Sequence, residues 1–424
     1  FLPDGRHFVY LAVSGNNANL GVYSGSLDAR PQEQHPKLVV ATNASPIFTP
    51  AWGGAKAQLL YMRDGSIVAE TLDTGTIQLA GQPVPIAEGV GTVTVGAGGA
   101  AYGFVAASSN GTLLYRLGAN GADPTSQLTW YSRDGKMLGT AGDSGPYQNV
   151  LLAPDQVRAA VVKSNDIWVM DLVRGTSTRL TTAGAVTQSS GVWSPDGTHI
   201  AYTANLKGVL GVYQKASDGS GNEELLWKGE GLTGPSDWSP DGRYVLFSVI
   251  DPKTGPDLWW LQTQGDHKAA PYLQTEFQEL AGRLSPDGKW VAYYSNRSGR
   301  NEIYVQPFHP EASASTPSAE FVVSKGGAIG MPRWRSDGKE IYYLSRDAKI
   351  MAVDVSTSPS FHAGEPKVLF ETPAGFVRSQ TPGALADAAK DGKRFLLVMP
   401  VARSTTQAQE QFTAVLNWTA ALKK

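Results

Sequence analysis

The chain has 424 residues, 41% of them hydrophobic, with 36 Lys and Arg against 38 Asp and Glu. That apolar fraction excludes general disorder, and a formal net charge of −2 lacks the basic footprint of a nucleic-acid binder. The absence of cysteine excludes disulfides, thiolate metal sites and cysteine nucleophiles, and six scattered histidines offer no closely spaced ligand pair.

The predicted elements, in chain order, are short strands hung on one recurring turn. Phe1-Leu2-Pro3-Asp4-Gly5 opens the chain and leads into the strand His7-Phe8-Val9-Tyr10. Eroded copies, Trp52-Gly53-Gly54-Ala55 and Ser108-Ser109-Asn110-Gly111, precede Gln58-Leu59-Leu60-Tyr61 and Thr112-Leu113-Leu114-Tyr115. Between them, Gly89–Tyr115 is 27 residues without a charge. Its seven glycines gain little in hydrocarbon, so buried strands fit it better than a membrane span.

Leu152-Ala153-Pro154-Asp155 comes next, then the strand Asp166-Ile167-Trp168-Val169. Full copies follow at Trp193-Ser194-Pro195-Asp196-Gly197, Trp238-Ser239-Pro240-Asp241-Gly242, Leu284-Ser285-Pro286-Asp287-Gly288 and Trp334-Arg335-Ser336-Asp337-Gly338. The last copy is Ala389-Lys390-Asp391-Gly392, with strands after it at Arg394–Pro400 and Phe412–Trp418. A short amphipathic helix over Gln407–Lys424 is the alternative.

The turn has a mechanism: Pro presets φ, Asp caps through its side chain, and Gly takes the φ > 0 corner. Trp52, Trp193, Trp238 and Trp334 are expected to end a strand and pack between units. Successive turns lie 41 to 55 residues apart, enough for four strands and their loops. The reading is an all-β chain, a β-propeller of four-stranded antiparallel blades in a single domain over 1–424. Nine repeat units are counted; eight blades with a C-terminal extension is the alternative. The first unit lacks its leading strand, so the termini are expected to complete one blade together. The chain reads as a fragment of a longer protein.

These repeats resemble those of TolB-type, WD-like β-propellers. Phe1-Leu2-Pro3-Asp4-Gly5-Arg6-His7-Phe8, Asp166-Ile167-Trp168, Arg179-Leu180-Thr181, Ser295–Val305 and Leu416-Asn417-Trp418 carry the resemblance. Through these residues the chain, across nearly its whole length, also resembles the C-terminal propeller, or sensor, regions of acidobacterial membrane-bound serine/threonine kinases. That resemblance implies a periplasmic or extracellular binding or sensing module with a kinase or other domain upstream. The chain itself has no kinase motifs.

Gly142-Asp143-Ser144-Gly145-Pro146 is similar to the nucleophile segment of trypsin-like proteases but lacks a glycine and a partner His, and it is expected in a loop between blades. Asp251 and Asp257 flank a tight turn and are weak metal candidates, without the alternating acid pattern of a calcium loop. Loops joining second to third strands, Ser14–Asn19, Asn205–Gly208, Asp251–Asp257 and Asn296–Asn301, are expected on one rim with the inter-unit loops. There Glu276, Glu279, Arg297, Arg300 and Asn301 form the candidate binding site for a protein, peptide or glycan. No cofactor, no nucleic acid and no membrane span is expected. An enzyme of lactonase or lyase type, using the central channel, is the alternative function.

Overall fold

The computed structural model describes residues 1–12, 20–30, 34, 36–63, 66–95, 100–117, 125–164, 166–181, 191–310, 318–329, 332–373, 376, 386–401 and 412–423. Among them there is no α-helix; apart from one 3₁₀ segment, Trp418–Lys423, the regular structure is antiparallel strands. No helix among them is long and apolar enough to cross a membrane.

The turns form as their chemistry dictates. Gly197, Gly242, Gly288, Gly338 and Gly392 each donate N–H to the carbonyl three residues back at 2.8–2.9 Å. Their φ angles, 68° to 76°, are positive, the region where a Cβ is penalised. In the Ser-Pro-Asp-Gly copies the aspartate accepts the serine hydroxyl, at 2.6 Å for Ser239 and Asp241. The same hydroxyl accepts the N–H of the residue that starts the next strand, Tyr244, at 2.8 Å.

Contacts divide the chain into two compact units: Phe1–Ala122 with Arg403–Lys424, and Asp123–Ala402. In the first unit Ile47–Thr49, Gln58–Arg63, Ser66–Asp73 and Gln78–Glu88 make a four-stranded sheet. His7–Ala12, Gly21–Ser26 and Lys37–Val40 make a three-stranded one. Among the described residues no C-terminal strand joins it. Phe412–Leu416 pairs with Thr112–Arg116, as the strand expected at Phe412–Trp418, and Trp418–Lys423 is a 3₁₀ segment rather than the alternative amphipathic helix. The uncharged Gly89–Tyr115 stretch yields short strands at Thr92–Val95, Ala100–Gly103, Val105–Ala107 and, at its end, Thr112–Arg116. Trp52, expected inside, is 46% exposed.

Among the described residues the second unit contains six sheets, each built on one of the last six turns. Sheet 1 is assembled from both ends of the unit, in the order Met137–Gly145, Ser126–Ser132, Arg394–Pro400, Ala386–Ala388. Sheet 2 runs Tyr147–Leu152, Arg158–Lys163, Asp166–Asp171, Ser177–Arg179; sheet 3 runs Val192–Trp193, His199–Leu206, Val209–Ala216, Glu224–Lys228. Sheet 4 runs Leu232–Trp238, Tyr244–Asp251, Gly255–Gln262, Ala269–Leu273; sheet 5 runs Glu279–Leu284, Trp290–Ser295, Glu302–Pro307, Phe321–Val322. Sheet 6 runs Arg333–Trp334, Glu340–Leu344, Lys349–Ser356, with His362–Ala363 and Lys367–Glu371 both on the third strand. Gly142–Gly145 of the protease-like segment therefore lies in a strand rather than the expected loop.

Alternating strands put apolar side chains on both faces, and each face meets the next sheet. Leu128 and Leu396 of sheet 1 share a cluster with Val150 and Val161 of sheet 2. Leu151, Ile200 and Val245 join sheets 2, 3 and 4. Trp260 and Val291 join sheets 4 and 5, and Val305 and Ile341 join sheets 5 and 6. Tyr342 and Phe370 of sheet 6 meet Leu397 of sheet 1, so the six sheets close on themselves. Trp193 and Trp334 do pack between sheets: their indole N–H groups donate to Leu151 and Arg283 carbonyls of the preceding sheet at 3.2 and 3.0 Å. Trp238, also buried, bonds its own turn at the Gly242 carbonyl, 3.0 Å away.

Candidate functional site at the rim of the second unit

The rim residues sit on two loops that touch. One joins sheets 4 and 5 through Gln274–Gln278; the other is the hairpin 296–301 within sheet 5. Gln278 N–H donates to Asn296 Oδ1 at 2.9 Å, and the Arg297 guanidinium lies 5.5 Å from the Phe277 ring. Loop Ser14–Asn19, read as a rim loop from the sequence, lies outside the described residues.

Each predicted residue takes a different place. Glu276 is exposed. Glu279 is the first residue of its strand and is only 2% exposed. Its Oε1 accepts the Thr275 hydroxyl at 2.5 Å, while its buried Oε2 has no partner. Burial pushes the Glu279 carboxyl up to about 7; the Thr275 bonds oppose this, the Asp257 charge adds to it, and Arg297 opposes it.

Arg297 bonds Glu320, and that same carboxylate accepts the Tyr293 hydroxyl. Arg300 donates through Nε to Glu302 at 2.8 Å. Its side chain is 59% exposed and that of Glu302 only 4%. Glu302 is further held by Ser324 and by the Gly327 N–H at 3.0 Å. The two arginines thus pair with acids other than Glu276 and Glu279. Asn301 accepts the Ala328 N–H on its carbonyl at 2.8 Å.

The two weak metal candidates separate. Asp251 caps its hairpin, accepting Lys253 N–H at 2.7 Å and Thr254 N–H at 3.3 Å, and these bonds lower its pKa. Asp257 is fully buried; its Oδ2 accepts the Thr254 hydroxyl at 2.7 Å and the Gln274 amide at 3.0 Å. Its Oδ1 is buried without a partner, and burial raises its pKa. Among the described residues, no three His, Asp or Glu side chains are grouped to hold a metal ion.

Sequence reasoning missed a second set of charges on the first strands of the sheets. Four residues before the turn aspartate stand Leu151, Val192, Asp237, Arg283, Arg333 and Asp387 in successive sheets. Arg283 lies 3.4 Å from Asp237, and Arg333 lies 2.5 Å from Asp387. Each aspartate also accepts a backbone N–H from the next sheet, Leu284 at 2.7 Å and Leu152 at 2.8 Å. Aligning the repeats by this column, rather than by the turn alone, exposes the change from apolar to charged.

No family model matches the chain. An uncharacterized protein of Agrobacterium fabrum is 27% identical over 158 residues, 36% of this chain and 53% of that protein. The Tol-Pal system protein TolB of Francisella tularensis is 23% identical over 167 residues, 39% of this chain and 36% of TolB. The chain therefore spans about half or less of the length of these curated relatives. A solved Agrobacterium tumefaciens structure assigned to TolB overlays with a TM-score of 0.51 at 16% identity. It covers 66% of this chain and 99% of that one. The fold is a TolB-like β-propeller. The likeness extends to fold alone, so the roles of the propeller's rim residues rest on their own geometry.

Proposed function

We propose that this propeller is a non-catalytic binding module that takes a protein, peptide or glycan partner on the rim formed by 251–257, 274–279 and 296–301. The observation that carries this is the state of Arg300. Its Nε is fixed on the buried Glu302, while its two terminal nitrogens make no hydrogen bond within the described residues. A guanidinium held this way is pre-oriented, with its bidentate edge free for a carboxylate or phosphate. Exposed Glu276 on the adjoining loop supplies a charge of the opposite sign.

The periplasmic or extracellular setting belongs to the same proposal, as does a sensing role coupled to a domain elsewhere in a longer protein. Arrays of acidic peptides and uronate-bearing glycans test it. Arg300→Lys retains a cation beside Glu302 but loses the fork. It should weaken a bound ligand tenfold or more, about 1.4 kcal/mol, with little change in Tm. Unchanged affinity in Arg300→Lys overturns the site, and turnover of an oligosaccharide by the purified chain overturns the non-catalytic assignment in favour of a lyase.

A further inference from the structure

Lys163, Val249 and Ser295 each lie eight residues past their turn aspartate, and they pair with Asp166, Asp257 and Glu302 respectively. These three acids are thus equivalent positions in sheets 2, 4 and 5. All are buried, at 3%, 0% and 3% exposure. Each accepts a hydrogen bond from a polar side chain near the end of the fourth strand: Thr181, Gln274 and Ser324. This latch ties the outer strand to the third and is structural in all three sheets.

The difference lies in the counter-charge. Asp166 has Arg179 and Glu302 has Arg300. Among the described residues Asp257 has no arginine or lysine bonded to it, and its Oδ1 is buried without a hydrogen bond. A second buried acid, Glu279, feels the Asp257 charge, and its Oε2 is likewise buried without a partner; Arg297 acts on Glu279 without bonding it. Consecutive residues hold the two: Gln274 bonds Asp257 and Thr275 bonds Glu279. Two buried carboxylates that repel each other are unfavourable unless a proton or a cation offsets their charge.

We propose that Asp257 and Glu279 form a divalent-cation site, selective for calcium, with Asp257 Oδ1 and Glu279 Oε2 as its anionic ligands. The Thr254 and Thr275 hydroxyls bonded to the pair add hard, neutral oxygens, which calcium accepts at variable geometry whereas magnesium demands a near-ideal octahedron. The cation performs in sheet 4 the neutralisation that Arg179 and Arg300 perform in sheets 2 and 5. With two carboxylates the site falls in the weak range of extracellular calcium modules, a Kd of about 10⁻⁴–10⁻³ M. It fixes the loop Gln274–Gln278, and so the position of Glu276, but it stands independently of the binding role proposed above.

The test is calorimetric titration of the chelator-treated full chain at pH 8 with calcium chloride, and separately with magnesium chloride, alongside Tm. Calcium should bind once per chain within that range and raise Tm. Asp257→Asn and Glu279→Gln should each abolish both effects. Without calcium, both variants should melt at or above wild type, because each removes one of two like buried charges; this also shows that they fold. No saturation and no Tm change at concentrations tenfold above that range overturns the proposal. So does calcium binding that survives either substitution, and equal saturation by magnesium overturns the calcium assignment.

Discussion

The backbone N–H of Leu152 donates to Asp387 Oδ2 at 2.8 Å, across 235 positions of sequence. The same carboxylate accepts Arg333 Nε on its other oxygen at 2.5 Å. One side chain of sheet 1 therefore holds the first strands of sheets 2 and 6, where the two ends of the unit meet. Asp387→Ala should remove about 3–5 kcal/mol, because it leaves the largely buried Arg333 guanidinium without its acid. Asp387→Asn keeps an acceptor for Leu152 and should lose less. Urea denaturation reads both, and equal midpoints for wild type and Asp387→Ala would contradict this role.

The closing sheet depends on Ala386–Ala388 and Arg394–Pro400, which pair with each other, the second of them also with Ser126–Ser132. A chain truncated after residue 385 should lose cooperative melting of the second unit, because the ring opens and exposes a row of unpaired edge groups. A chain ending at residue 402 keeps every strand of that unit and should retain its transition. Limited proteolysis distinguishes the two: rapid cleavage within 126–373 is expected only in the shorter chain.

Trp238 is buried in the cluster joining sheets 2, 3 and 4. Trp238→Ala should destabilise by about 3–5 kcal/mol through lost packing and the cavity left behind. Gly242, in the same turn, has φ +76° and open space where a Cβ would point, so Gly242→Val acts through backbone strain alone. It should remove at least about 1 kcal/mol. If both variants melt within a degree of wild type, the turn is not the structural pivot argued above.

Acid should weaken the turns. The Ser194 hydroxyl and the Thr198 N–H and hydroxyl pull Asp196 down to about 2; Arg335 does the same to Asp337. A carboxylate whose folded pKa lies below its unfolded value of about 4 stabilises the fold above that value. That contribution disappears as pH falls from about 4 to 2. Both groups are solvent-exposed, so each contributes modestly and the turns act by number. Ser194→Ala removes the largest contribution to the Asp196 shift and should flatten the decline of Tm between pH 4 and 2. An unchanged acid limb would count against it.

The candidate site was only half legible in the sequence. Arg297 and Arg300 stand out on a polar loop in a chain poor in charge, but their partners do not. Glu320 lies 23 residues from Arg297, and Glu302 looks like the polar start of an ordinary strand. Glu279, read as a rim charge, is buried because it opens the first strand of sheet 5 and sheet 4 packs over it. Nothing local marks that change, since burial is decided by the neighbouring sheet.

The turn chemistry, the strand period and the all-β repeat were readable from the chain alone, because each rests on contacts within a few residues. Pro, Asp and Gly at fixed spacing make the same turn wherever they occur, and alternation of apolar residues follows from the pleat. The pairing of Arg394–Pro400 with Ser126–Ser132, and the division of contacts into two units, emerge only in the folded molecule. So does the burial of Asp257 and Glu279 with no arginine or lysine bonded to either among the described residues, while Asp166 and Glu302 each have one. Strand exchange between chain ends and the pairing of buried charges depend on which sheets become neighbours, and that is set by long-range packing rather than by any local pattern.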